Sequence, residues 1–164
     1  MSVKPNVLTP PPWTNQPLTV FHGTNVGAAR RILKSGIDLN RARQGTDFGP
    51  GFYVTTLQQQ AWNWSVSRFE KDPTVLRFRL DRLDFGRATC LFFLDAGVLA
   101  EDYWSFVWAC RRGATKHHAI GYYDVVGGPF ASTWRMRTAD PAGNQLSFHT
   151  SAGVSLLGKG EIIQ

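Results

Sequence analysis

The chain has 164 residues, 18 Lys plus Arg against 12 Asp plus Glu, and a formal charge of +6. Its length suits one domain with a real core, and 43% hydrophobic with 13% aromatic residues excludes a disordered chain. The positive field favours acidic partners such as nucleic acid or phosphorylated ligands, yet no dense basic run marks a nucleic-acid tail.

Met1 to Pro17 is rich in Pro, Thr and Asn, with Pro10-Pro11-Pro12 in the middle. Proline removes donors and favours extended backbone, so 1–17 reads as an arm that Trp13 would pin to a single domain over 18–164. The N-terminus lacks the layout of a secretory signal, and no apolar run reaches the length of a membrane span. The expectation is a soluble, cytoplasmic protein, or one delivered into a target cell by a signal-free route.

Leu18 to Phe21 reads as a short strand ending at His22-Gly23-Thr24. Asn25 is placed to cap a helix from Val26 to Lys34, with Val26, Ala29, Ile32 and Leu33 at helical spacing and Gly36 as its stop. A polar loop with Arg41 and Arg43 leads to Asp47-Phe48-Gly49-Pro50-Gly51-Phe52-Tyr53-Val54-Thr55-Thr56. Gly49-Pro50-Gly51 is turn chemistry, and Phe52 to Thr56 is aromatic and β-branched, hence a strand leaving that turn.

Leu57 to Glu70 reads as a second helix with Leu57, Ala61 and Trp64 on its apolar face and Thr56 at its N-cap. Val75 to Leu80 alternates apolar and basic, which predicts a half-buried strand. Leu91 to Leu94 predicts a buried strand, and Leu99 to Arg111 a helix carrying Trp104, Val107 and Trp108. Cys90 and Cys110 have no spacing signature and fit either a pair or two free thiols. Tyr122 to Val126 predicts a strand that stops at Gly127-Gly128-Pro129, Gln145 to Thr150 another, and Ser151 to Leu157 a short helix. Helices fall among the strands without regular alternation, so the expected class is α+β. No G-x-G-x-x-G opens a helix and no Walker loop is present.

Two strand ends carry chemistry. His22 can hydrogen-bond a hydroxyl while the bare backbone of Gly23 pairs with an amide, Tyr53 offers a flat ring, and Gln145 supplies a polar partner. Each has a structural alternative: a satisfied core histidine, a tight turn into a buried strand, a surface glutamine.

In order, these pieces resemble the ADP-ribosyltransferase superfamily, on the branch with a His–Tyr–Glu-type triad shared by diphtheria-type toxins and poly(ADP-ribose) polymerases. They are similar to a group of small bacterial domains in that branch. The group carries a His-Gly-Thr/Ser strand, an Asp-Phe-Gly-x-Gly-Phe-Tyr-x-Thr strand and a Gln-x-x-Phe-His-Thr strand. Here these are Phe21 to Thr24, Asp47 to Thr55 and Gln145 to Thr150, and the resemblance runs from Leu18 to Leu157. It implies an ADP-ribosyltransferase-like pair of split sheets, with NAD as substrate in the cleft between them.

The resemblance implies His22, Tyr53 and Gln145 as the catalytic set. His22 would bond the adenosine-side ribose, Gly23 would grip the nicotinamide amide, and Tyr53 would stack on the nicotinamide, with Thr24 and Gly51 as further NAD contacts. Gln145 stands where the family has a glutamate, so charge is lost while the dipole and hydrogen bonds remain. Asp47 and His149 are candidates for the missing base, and Arg30, Arg41 and Arg43 for holding the pyrophosphate. The implied activity is mono-ADP-ribosylation of a protein or nucleic acid by a toxin or effector, with an antitoxin or immunity protein as a partner. The alternatives are an NAD glycohydrolase and a catalytically silent NAD- or partner-binding module. An RNA 2′-phosphotransferase shares the fold but uses a larger Arg and His set. No metal is expected.

Overall fold

The structure is a computed structural model and describes residues 17–163. The proline run and Trp13 lie outside the described residues.

Among the described residues, chain order sets out seven strands and five α-helices. β1 (Leu18–Asn25) runs straight into α1 (Val26–Ser35) because Asn25 Oδ1 accepts the Ala28 N–H at 2.8 Å, and Gly36 ends the helix at φ 84. The glycine turn then leads into β2 (Phe52–Val54) and α2 (Gln58–Arg68). β3 (Pro73–Leu80), α3 (Arg82–Phe85), β4 (Cys90–Phe92) and α4 (Glu101–Arg111) follow. β5 (Val125–Thr133) and β6 (Thr138–Phe148) form a long hairpin, and α5 (Ser151–Ser155) and β7 (Glu161–Ile162) close the described chain.

The strands make two sheets, ordered β1-β3-β7 and β2-β6-β5-β4. Pairing is antiparallel except between β4 and β5. This is an α+β chain. Alternation along each strand gives the second sheet two buried faces. One face, with Phe52, Val125 and Phe148, packs on Val20, Leu76 and Phe78 of the first sheet. The other, with Val126, packs under Tyr103, Trp104 and Val107 of α4, with Phe48 and Phe93 between.

Several expectations need correction. The first strand does not end at His22-Gly23-Thr24 but runs through them to Asn25, paired throughout with β3. The buried strand expected over Leu91 to Leu94 is shorter, Cys90–Phe92, and only partly covered: Phe93 is buried beyond its end, but Phe92 is 48% and Leu94 97% exposed. It lies at the sheet's edge. The strand after Tyr122 does not stop at Gly127-Gly128-Pro129 but runs through it, bonded to β6 and β4. Pro129 is tolerated beside a register shift at Phe130. Leu57, not Thr56, sits at the cap of α2, where Thr55 Oγ1 accepts the Leu57 N–H. Cys90 and Cys110 are free thiols.

The face of α2 also differs from its periodicity. Ala61 and Ser65 are buried, whereas Trp64 is 48% exposed. The cause is Gly23: a Cβ there would lie 2.1 Å from the Ala61 carbonyl oxygen, so α2 rests directly on the β1 backbone. Contact that close admits only small helix residues. Gly23→Ala is therefore expected to lift α2 and cost about 1–3 kcal/mol, read as a lowered melting temperature. An unchanged melting temperature would contradict this packing.

Candidate functional site

The turn at 46–51 is held from four sides. The Tyr53 hydroxyl accepts the Phe48 N–H at 2.9 Å and donates to the Gly49 carbonyl at 2.7 Å, with Thr46 Oγ1 3.0 Å away. His117 Nε2 donates to the Phe48 carbonyl at 2.8 Å, and His149 Nδ1 to the Pro50 carbonyl at 2.8 Å. Gly51 leaves room for β6, since a Cβ there would meet Ser147 Oγ at 2.4 Å. The Asp47 carboxylate is 2% exposed and bonded to Arg111 of α4, Nε at 2.8 Å and Nη2 at 2.5 Å. Arg111 Nη1 also donates to the Gly45 carbonyl at 2.8 Å.

This places Tyr53. Its ring lies on the α4 side of the second sheet, between Phe48 and the edge of His149. Burial pushes its phenol well above the usual range. The hydroxyl belongs to the turn, which leaves only the ring face for a ligand.

His22 lies at the point where the two sheets part. Phe21 exchanges backbone bonds with Thr55, 2.7 and 2.9 Å, on the edge of β1 away from β3. Successive residues of an antiparallel strand turn their N–H and C=O to alternate edges. Gly23 therefore presents its backbone to the same edge as Phe21. Continuing the register would set it against Tyr53. Instead His22 Nδ1 takes the Tyr53 carbonyl at 2.7 Å, and β1 and β2 are not neighbours in either sheet.

A carbonyl only accepts, so the His22 proton sits on Nδ1 and Nε2 offers a lone pair. Burial lowers the imidazole to about 4, so it is neutral near pH 7. The imidazole packs on Phe52, ring centroids 4.2 Å apart, on the opposite side of β2 from the Tyr53 ring. Thr24 is buried opposite Thr74.

Gln145 is 7% exposed, and its amide is oriented by acceptors. Nε2 donates to Asp47 Oδ2 at 2.7 Å and to the Pro129 carbonyl at 3.1 Å. Gln145 is among the residues lining a cleft of about 440 Å³, with Leu18, Thr56, Phe93, Gly128 and Pro129. His22 and Tyr53 are not among that cleft's lining residues. Tyr53 pairs with Ser147 across β2 and β6, so Gln145 is its diagonal neighbour on one face, about 7–8 Å off. The three expected side chains are thus linked: His22 to the Tyr53 carbonyl, the Tyr53 hydroxyl to the turn, and the turn's Asp47 to Gln145.

Of the candidate bases, Asp47 is sealed into its ion pair, and His149 is 8% exposed with its Nε2 buried and without a partner. Burial lowers His149 to about 4. Arg41 pairs with Asp38, while Arg30 and Arg43 are exposed. Among the described residues, no group of three or more His, Cys, Asp or Glu is arranged to hold a metal, and no helix is long and apolar enough to cross a membrane. Arg111 escaped sequence reasoning, because 64 residues separate it from Asp47.

Residues 18–142 match the family described as Protein of unknown function (DUF3990). The chain belongs to that family. The match takes in His22 to Thr24 and the glycine turn, and ends three positions before Gln145. A comparison with curated proteins finds no match.

Two neutral imidazoles, His22 half-buried and His149 buried, give a pH signature. An unfolded histidine takes a proton near 6.5, the folded ones only near 4. Their stabilisation is present above pH 6.5 and lost as pH falls toward 4. The melting temperature should fall less steeply over that window in His149→Gln than in the unaltered protein. Equal slopes would show that His149 does not stay neutral in the fold.

Proposed function

We propose that the chain binds NAD across the parting of its two sheets and transfers ADP-ribose to a macromolecular acceptor. It would be a mono-ADP-ribosyltransferase of the toxin or effector kind. The observation that carries this reading is the opening at β1. There His22 satisfies the Tyr53 carbonyl and the backbone of Gly23 faces an edge that β2 does not fill. The N–H and C=O that Gly23 turns to this unfilled edge match the carboxamide of nicotinamide, which has one acceptor and one donor face. The lone pair of His22 Nε2 suits a ribose hydroxyl. Sheet parting, a bare glycine edge and a neutral imidazole are the features that favour the likeness to ADP-ribosyltransferases.

In the proposed reaction nicotinamide leaves with the electrons of its bond to ribose, positive charge develops on the sugar, and the acceptor's lone pair forms the new bond. The chain's own part is to hold the dinucleotide and present dipoles to that charge. Among the described residues of the candidate set none is a ready base: Gln145 is neutral, burial makes His22 a weak base, and Asp47 is sealed in its ion pair with Arg111. The favoured acceptor therefore attacks without prior deprotonation, such as a thiolate or a ring nitrogen of a nucleobase, its proton, where it has one, passing to solvent. The same feature favours NAD glycohydrolysis as the second reading, since water adds to a formed sugar cation with little activation. An immunity partner follows only if the transfer is toxic.

Incubation with labelled NAD and a cell lysate tests the proposal. Label on protein or nucleic acid supports transfer, and free ADP-ribose without such label supports hydrolysis. Neither product, at protein concentrations where NAD binds, leaves a silent binding module. Gln145→Ala and Tyr53→Ala should each lower turnover at least tenfold. Tyr53→Phe keeps the ring and loses only the turn's bonds, so it should lower stability by about 1–2 kcal/mol while keeping most activity. Full activity in Gln145→Ala would remove the amide from the mechanism.

A further inference from the structure

We infer that Asp47 is a positioning residue for Gln145: it turns the amide so that Oε1 is offered to the cleft, and it is the reason an amide rather than a carboxylate stands at position 145. The geometry leaves the amide no alternative. Asp47 Oδ2, 2.7 Å away, and the Pro129 carbonyl, 3.1 Å away, are both acceptors, so both N–H groups of Nε2 are spent on them. A flipped amide would set Oε1 against two oxygens. Oε1 has no hydrogen-bond partner among the described residues and is not one of the buried orphaned atoms, so it is the polar atom of this side chain left for a ligand, and Gln145 is among the residues lining the 440 Å³ cleft.

Asp47 is itself immobile. Arg111 holds Oδ1 with two nitrogens, and the Ala131 N–H reaches Oδ2 at 3.1 Å. The chain from α4 to the cleft thus runs guanidinium, carboxylate, amide. A carboxylate at 145 would face a second carboxylate and a carbonyl at hydrogen-bond distance in a buried place, and like charges so close cannot both ionise. The negative charge a triad glutamate would bring is present here, but one side chain further back and already matched by Arg111. The cleft is thereby given a neutral acceptor, suited to a hydroxyl donor.

The other groups around position 145 are few. Tyr103 of α4 donates its hydroxyl to the same Pro129 carbonyl at 3.0 Å, and Tyr53 is the diagonal neighbour on β2. Both phenols are pushed up by burial, so neither is charged at neutral pH. Asp47 and Arg111 are therefore the charged groups that a new carboxyl would meet.

Gln145→Glu with and without Asp47→Asn tests this without using NAD. The introduced carboxyl can take the amide's place only while protonated, donating its O–H to Asp47. Its folded pKa is then raised above the unfolded value. Stability is present at low pH and lost as pH rises. The melting temperature of Q145E should lie near that of the unaltered protein at pH 5 and fall behind it by about 3 °C or more at pH 8. In D47N/Q145E at least half of that pH-dependent gap should disappear. A gap in Q145E that does not change with pH, or one unaltered by D47N, overturns the inference.

If Q145E does not fold, the side-chain amide protons of Gln145 decide. In the unaltered protein they should exchange slowly, and in D47N at least tenfold faster. Equal rates overturn the inference. What Oε1 meets rests on the NAD reading, so one further arm separates the two. NAD affinity should fall about tenfold in D47N, whereas no NAD binding by the unaltered protein would remove that reading and leave the Asp47–Gln145 result standing.

Discussion

One hydrogen bond, from the imidazole of His22 to the carbonyl of Tyr53, decides where the two sheets part. A backbone N–H would have closed the ladder at that point, as the Phe21 and Thr55 pair closes it one step earlier. A side chain is longer than an amide and leaves the strands apart. The carbonyl is satisfied, so the opening costs little, and the imidazole is held in one tautomer with a lone pair to spare. Everything proposed about function follows from that opening and from the neutral state of the ring.

The second constraint is the turn at 46–51. Its carbonyls take bonds from Tyr53, His117 and His149, three side chains on three segments. Its Asp47 ties α4 to β6 through Arg111 and Gln145. The turn is thus a junction, and its rigidity fixes Tyr53 and Gln145 relative to each other. Its glycines and proline serve that junction first. Gly51 makes room for Ser147 and His149, so its lack of a side chain is explained by packing on β6. That packing also accounts for the orphaned Nε2 of His149, which lies inside the junction rather than at its surface.

Local signals carried the class and most elements into the sequence. Asn25 and Gly36 bound α1 because a capping side chain and a positive-φ residue act within one turn of helix. Alternation in Val75 to Leu80 reports a strand with one buried face, as found. What could not be read is what depends on distant partners. Trp64 reads as a core residue by spacing, but Gly23, across the α2–β1 contact, admits only Ala61 and Ser65. Gly127-Gly128-Pro129 reads as a stop, but two flanking strands carry β5 through it. Asp47 and Gln145 are 98 residues apart, so nothing near either position signals that one orients the other. The motifs picked out His22, Tyr53, Gln145 and Asp47; the tertiary fold supplied Arg111 and showed Asp47 holding Gln145 rather than serving as a base.

The backbone amide of Gly23 is the most direct reporter of the proposed site. Titration of the isotope-labelled protein with nicotinamide, and separately with NAD, can be followed at that amide by NMR. A saturable shift at Gly23 is expected with either ligand, abolished in His22→Ala. Saturable binding that leaves Gly23 unmoved, or no binding of either ligand at millimolar concentration, would contradict it.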